Sequence, residues 1–311
     1  MSTVHREQPD PRVSVIVPAF NAEATIAATI ESVLAQSFDS FEVIVVNDGS
    51  TDGTSNVLSR YGRDITIVDQ PNRGVSAARN RGARQAKGNF LAFLDSDDIW
   101  RTDALYKFAA ALDHKVSAVL AFSDFSRVNL ETLQAEPYIF SGAPSMEDLL
   151  RSRAQMLPSA VVIRSSVFNR CGGFCEQFQH PGFEDPLLWT IARESGEFIH
   201  VSELLLTYRL SEKGQSDWYI SNGEIFIKLV RQRYGRKARH LISETYDHLA
   251  RVALKKALRC LDNGDGAGTL LNLRCVLRLK PRLIFDPDLA RRAFRIRNLS
   301  RLRSLRKRSD H

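Results

Sequence analysis

The chain is poor in several features that would each have named a class of protein. It has 4 cysteines in 311 residues, at positions 171, 175, 260 and 275. That is too few for a disulfide scaffold. Cys171 and Cys175 are separated by three residues with no His-rich partner motif nearby, so reduced structural thiols are expected rather than a zinc site. No run approaches eighteen uninterrupted apolar residues, so no membrane-spanning helix is expected. The opening MSTVHREQPDPR is polar and holds two prolines, unlike a signal peptide. A cytoplasmic enzyme, in contact with the inner face of the cell membrane, is the expected setting. No repeat has a convincing period, and no aromatic platform of the kind single-strand binders use is interleaved with the basic residues, so no nucleic acid is expected as a partner.

What is present is an ordinary globular composition, 43% hydrophobic and 25% charged, with charge gathered at one end. From Val276 onward there are 12 Lys/Arg against 3 Asp/Glu, a local +9 within a net +7. The remainder is therefore at −2, and the basic character describes a tail rather than a core.

The first half alternates between two periods. Val13–Pro18, Glu42–Asn47, Ile65–Val68 and Phe90–Leu94 are short apolar, largely β-branched runs, as strands buried on both faces require. Between them Ala24–Gln36, Asn56–Tyr61 and Gly74–Lys87 carry helical spacing and turn residues at their ends. Strand–helix alternation implies βαβ units and a parallel sheet, with ligands at the carboxyl ends of the strands. Further strands are expected at Ala118–Phe122 and Ala160–Ile163, a loop-rich excursion over 130–147, and helix from about Ser221.

Acidic clusters follow two of the strands. Asp95-Ser96-Asp97 places two carboxylates on one turn, which suits a hard divalent cation that also takes diphosphate oxygens. Taken alone, an Asp-rich turn is more often just a turn. Asp48 precedes Gly49-Ser50-Thr51-Asp52, whose members are better placed to cap the next helix, so Asp48 is free for another task. Glu184-Asp185 opens an apolar helix; favourable interaction with the helix dipole is the bland explanation and a general base the functional one. Among the arginines, Arg79 with Asn80 is the candidate for phosphate contact, while Arg73, Arg81 and Arg84 read as solvated.

Taken in order, VSVIVPAFNAEATIAATIESVLAQSF, EVIVVNDGSTDGT, QPNRGVSAARNRGARQAKGNFLAFLDSDDIW, LPSAVVIRSSVFNRCGGF and GFEDPLLWTIA resemble family 2 glycosyltransferases over about residues 12–210. The resemblance implies an α/β GT-A fold, Rossmann-like, with a mostly parallel central sheet flanked by helices. It divides the chain into a flexible 1–11, a catalytic domain at 12–215 and a helical, basic region at 216–311. It also implies an inverting enzyme of the bacterial type that moves a sugar from a nucleotide-diphosphate sugar, typically UDP-linked, to a glycan or lipid-linked acceptor in cell-surface polysaccharide synthesis. By position Pro18, Ala19, Phe20 and Glu23 would line the nucleoside pocket and Asp48 would meet the base. Asp95 and Ser96 would lie at the donor, Asp97 with Asp95 would hold Mg²⁺ or Mn²⁺, and Asp185 would be the catalytic base. Two departures stand out: Cys175 replaces a usual Asp, and no histidine follows Tyr208-Arg209, where Lys213 is the nearest substitute.

From Leu289, apolar residues recur between arginines as in a basic amphipathic helix suited to an anionic membrane surface, or equally to packing on a core with solvated arginines. The rival activities are sugar nucleotidyl transfer and non-catalytic nucleotide-sugar binding. The first wants a glycine-rich basic loop after the first strand, which Pro18-Ala19-Phe20-Asn21 is not. Intact Asp97 and Asp185 count against the second.

Overall fold

A computed structural model describes residues 10–151, 154–178, 180–210 and 218–282. The described residues group into two compact units, one running to Phe226 and the other starting at Ile227.

The first unit is built on one mixed sheet. Its parallel part is β1 (Val13–Ala19), β2 (Phe41–Asp48), β3 (Thr66–Gln70) and β4 (Phe90–Phe93), in the order β3-β2-β1-β4. Every residue of β1 and β4 is buried, which is why these strands read as unbroken apolar runs. Each fully buried Val or Ile contributes about 1.5–3 kcal/mol through burial. The helices α1 (Ile26–Leu34), α2 (Thr54–Leu58) and α3 (Val75–Gln85) are the crossovers. Helix α3 lies very close to β1, because a Cβ on Gly82 would stand 2.5 Å from the Ile16 side chain. A glycine is therefore required in the middle of a helix, where it otherwise costs stability.

Beyond β4 the sheet ceases to be parallel. After β5 (Ile99–Trp100) and α4 (Ala104–His114) come β6 (Ala118–Asn129), β7 (Ala135–Tyr138), α5 (Met146–Leu150) and β8 (Val161–Arg164). Strand β8 runs antiparallel to both β4 and β6. After α6 (Ser165–Cys171) and α7 (Glu184–Arg193), β9 (Glu197–Leu210) pairs parallel with β6 and antiparallel with β5. The sequence pointed to the early strands and to the starts of β6 and β8. It gave no sign of the 14-residue β9, whose mixed exposure hides any strand period. The expected loop over 130–147 contains β7 and the start of α5, the latter closed by a capping box between Ser145 and Asp148. None of the four cysteines forms a disulfide.

Helix α8 (Trp218–Tyr234) follows. In the second unit α9 (Arg239–Asp262) packs on α10 (Gly266–Leu279) as a helical hairpin, with Leu249, Ala250, Ala253, Ala257 and Val276 buried. Lys280 and Asp247 form an ion pair at 2.5 Å. No helix among the described residues is long and apolar enough to cross a membrane. The amphipathic pattern from Leu289 lies outside the described residues, as does Lys213.

Candidate active site

A cavity of about 1050 Å³ opens at the carboxyl ends of β1, β2 and β4. Its walls include Pro18, Ala19, Phe20, Asp48, Arg79, Asp95, Ser96, Asp97 and Asp185, residues drawn from five separate stretches of sequence. Glu23 is not among the lining residues; it is exposed, and its carboxylate accepts the Gly53 N–H at 2.9 Å.

The acidic turn is held largely by its backbone, so the carboxylates of Asp95 and Asp97 are left to face the cavity. The Thr29 hydroxyl, from α1, donates to the carbonyls of Ser96 (3.0 Å) and Asp98 (2.9 Å). Arg209, near the end of β9, donates its side-chain Nε to the Asp97 carbonyl and its backbone N–H to Asp98 Oδ1. The Asp95 N–H donates to the Ser159 hydroxyl at 3.0 Å. Two indoles fix the loop that carries Ser159: Trp100 donates to the Ser159 carbonyl (2.6 Å) and Trp189 to the Met156 carbonyl (2.8 Å).

Negative charge is concentrated here. Asp97 opens on the cavity, yet the protein around it, and then the Asp95 charge, push its carboxyl up to about 6. Asp98 is fully buried, and burial followed by Asp95 and Asp97 holds its carboxyl well above the usual range. No set of three or more His, Cys, Asp or Glu side chains among the described residues forms a self-contained metal site.

Arg79 links this turn to the opposite wall. It is 2% exposed, with Nη2 2.6 Å from Asp95 Oδ1 and Nη1 3.1 Å from Glu184 Oε1, and it lies over the Phe174 ring at 5.0 Å. Burial alone would weaken its charge; Asp95 and then Glu184 override that and hold the guanidinium firmly protonated. Asn80, beside it, exchanges two hydrogen bonds with the Phe174 backbone (2.8 and 2.9 Å).

Asp48 is 3% exposed and organises the turn before α3. Its Oδ1 accepts from Gln70 Nε2 (2.7 Å) and the Arg73 N–H (2.9 Å), and its Oδ2 from the Gly74 N–H (2.8 Å). A carboxylate oxygen has two lone pairs, so Oδ2 retains acceptor capacity toward the cavity it lines.

Asp185 sits on the first turn of α7, behind the left-handed Phe183. Burial, then the neighbouring Glu184 charge, raises its carboxyl well above the ordinary range, with Arg79 pulling the other way. Tyr219 faces it from α8 and is pushed up to about 12 by burial and by Asp185. Tyr208, Tyr219, Arg127 and Glu184 also line the cavity. None of them stood out in the sequence as a site residue except Glu184, read there with Asp185 as a helix-dipole pair or a general base. The pairing of Arg79 with Glu184 spans 105 residues and leaves no local sequence signal.

These features define a carboxylate-lined site at the strand ends of an α/β fold, and comparison with known proteins makes the class specific. Residues 14–168 match the glycosyl transferase family 2 profile. WfaP of Escherichia coli, a UDP-Glc:alpha-D-GlcNAc-diphosphoundecaprenol beta-1,3-glucosyltransferase, is 28% identical over 237 residues, covering 74% of this chain and 89% of its own. TuaG of Bacillus subtilis, provisionally named for teichuronic acid biosynthesis, is 45% identical over 101 residues, covering 31% of this chain. The chain spans 40% of TuaG's length. Among solved structures, TarS 1–349 of S. aureus in complex with UDP-GlcNAc superposes with a TM-score of 0.58 at 18% identity, over 87% of this chain and 92% of that one. The fold is thus of the GT-A type. The chain belongs to glycosyl transferase family 2.

Proposed function

We propose that this protein transfers a sugar from a UDP-sugar, with inversion at the anomeric carbon, to a hydroxyl of a glycan or lipid-linked acceptor in cell-surface polysaccharide synthesis. The observation that carries the reading is the pairing, in one cavity, of a turn crowded with carboxylates and a separate carboxyl, Asp185, whose affinity for a proton is raised. The acceptor class is supported by WfaP, whose name specifies a diphosphoundecaprenol-linked acceptor.

In this reading Pro18, Ala19 and Phe20 bound the nucleoside and Asp48 Oδ2 accepts from the base. Asp185 takes the proton of the acceptor hydroxyl as its oxygen attacks the anomeric carbon; a base with a raised pKa is better matched to neutral pH than an ordinary carboxylate. Attack from one side with departure on the other inverts the centre. Arg79, spent on Asp95 and Glu184, keeps both walls in register rather than gripping phosphate. Asp97, with the Asp95 oxygen that Arg79 does not hold, fits Mg²⁺ or Mn²⁺, because two crowded carboxylates suit a cation that also takes diphosphate oxygens. When bound, such a cation supplies charge neutralisation for the leaving diphosphate. Work at the inner face of the cell membrane, through the basic residues after Val276, belongs to the same proposal.

The test is a panel of nucleotide sugars assayed for hydrolysis and for protection against thermal unfolding, with and without Mn²⁺, on wild type and Asp185→Asn. A UDP-sugar should be turned over by the wild type. The variant should lose about 10²–10⁴-fold in rate with UDP affinity kept within twofold. Turnover by Asp185→Asn at the wild-type rate would sink the base assignment.

A further inference from the structure

The residues that match the family profile end at 168, well before α8. The first turns of α8 nevertheless reach the loop that leads into Asp185. Asn222 is 4% exposed, and its side-chain Nδ2 donates to three successive carbonyls: His180 (2.9 Å), Pro181 (3.4 Å) and Gly182 (3.1 Å). Two amide hydrogens are thus shared among three acceptors. Asparagine is a poor residue for a helix interior, since its amide competes for backbone groups. Here that tendency is directed at another segment's backbone.

The loop needs such a clamp. Gly182 has φ +114° and Phe183 φ +73°, a left-handed conformation that strains a bulky residue. Phe183 is held by ring contacts with Tyr219 (5.0 Å) and Phe226 (5.3 Å), both on α8. The Gly182 N–H donates to Glu184 Oε2 at 2.5 Å, and the Phe183 carbonyl receives the Leu187 N–H of α7 at 3.2 Å. The chain of contacts is continuous. Asn222 fixes the carbonyls of 180–182, these fix the turn at 182–183, and the turn fixes where α7 begins and where Asp185 is aimed.

We infer that Asn222 is a positioning residue for the reaction: its amide holds the 180–183 turn in the strained form that aims the Asp185 carboxylate. The inference rests on the reading of Asp185 as the base. It adds that α8, which lies beyond the matched residues 14–168 and beyond the resemblance over 12–210, helps to position the base.

The experiment measures kcat and KM for hydrolysis of the UDP-sugar turned over fastest in the donor panel, together with UDP affinity and Tm. It compares wild type, Asn222→Leu, Asn222→Asp, Asn222→Gln and the control Asp185→Asn. Asn222→Leu keeps the volume without the donor, and Asn222→Asp keeps the shape with an acceptor in the donor's place. Both should lower kcat by 10-fold or more, with KM and UDP affinity within twofold of wild type, because the strand-end wall of the cavity is untouched. Asn222→Gln retains the amide and should recover part of the loss. If Asn222→Leu does not fold, the Asp and Gln variants carry the comparison. Wild-type kcat in Asn222→Asp, or a rise in KM and loss of UDP affinity in parallel with kcat, overturns the inference. If Asp185→Asn is itself fully active, the base reading fails; if that control is inactive while the Asn222 variants are normal, only the positioning role fails.

Discussion

The cavity has two walls made by different means. One is formed by the ends of parallel strands β1, β2 and β4 with the turns that follow them, and its carboxylates are set by backbone N–H groups and by α1 and α3. The other is formed by the loops at 154–158 and 180–183 and the start of α7, and it is set by single side chains acting across long sequence separations: Trp100, Trp189 and Asn222. The first wall inherits its geometry from the sheet. The second is held by a few hydrogen bonds, so individual substitutions there should change chemistry more readily than fold. Arg79 is the tie between the two.

The largest effect should come from cutting that tie. Arg79→Met leaves Glu184 buried beside Asp185 without its cation, and breaking a buried ion pair by removing one partner costs about 3–5 kcal/mol. Chemical denaturation should show this as a lowered midpoint with an unchanged slope; a wild-type midpoint would mean that the walls are independent. On the strand-end wall, Gly82→Ala forces a Cβ to within 2.5 Å of Ile16. It should cost about 1–3 kcal/mol of overpacking in the same experiment, with kcat per folded molecule unaltered. Loss of kcat without loss of stability would erase the distinction between the walls.

A smaller effect is expected from pH. Asp97 and Asp185 both hold protons more tightly in the folded protein than they would in the unfolded chain. Their favourable contribution is complete below about 4, the unfolded carboxylate value, and is lost as pH rises through the folded value, about 6 for Asp97. The ligand-free protein should therefore lose part of its thermal stability between pH 5 and 7, and Asp97→Asn should flatten that fall in calorimetry. Stabilisation by Mn²⁺ with UDP should run the opposite way, greater at pH 7.5 than at 5.5, because a cation needs the deprotonated carboxylate. Equal metal-dependent shifts at both pH values would remove Asp97 from cation binding.

The same division decided what could be read in the sequence. The strand-end wall was legible because strands buried on both faces leave unbroken runs such as VSVIVP, and carboxylates that end them stand out as Asp48 and Asp95–Asp98. Even there, the exposed Glu23 lies away from the cavity that its neighbour Phe20 lines, a distinction no spacing reveals. The loop wall was legible only in Asp185, and only through resemblance. The direction of β8, the length of β9 and the engagement of Asn222 with residues some 40 positions earlier are set by tertiary packing, which a single sequence does not display.

The indoles that hold the loop wall have an optical consequence. The chain has 3 tryptophans. Trp100 and Trp189 are buried at 3% and 1% exposure on the 156–159 loop, while Trp218 is 41% exposed and stacks on the His180 ring at 3.9 Å. The two buried rings should emit at shorter wavelengths than the third, and the third lies against the turn clamped by Asn222. The protein thus carries its own pair of spectral reporters, one for each loop of the wall, readable without any label.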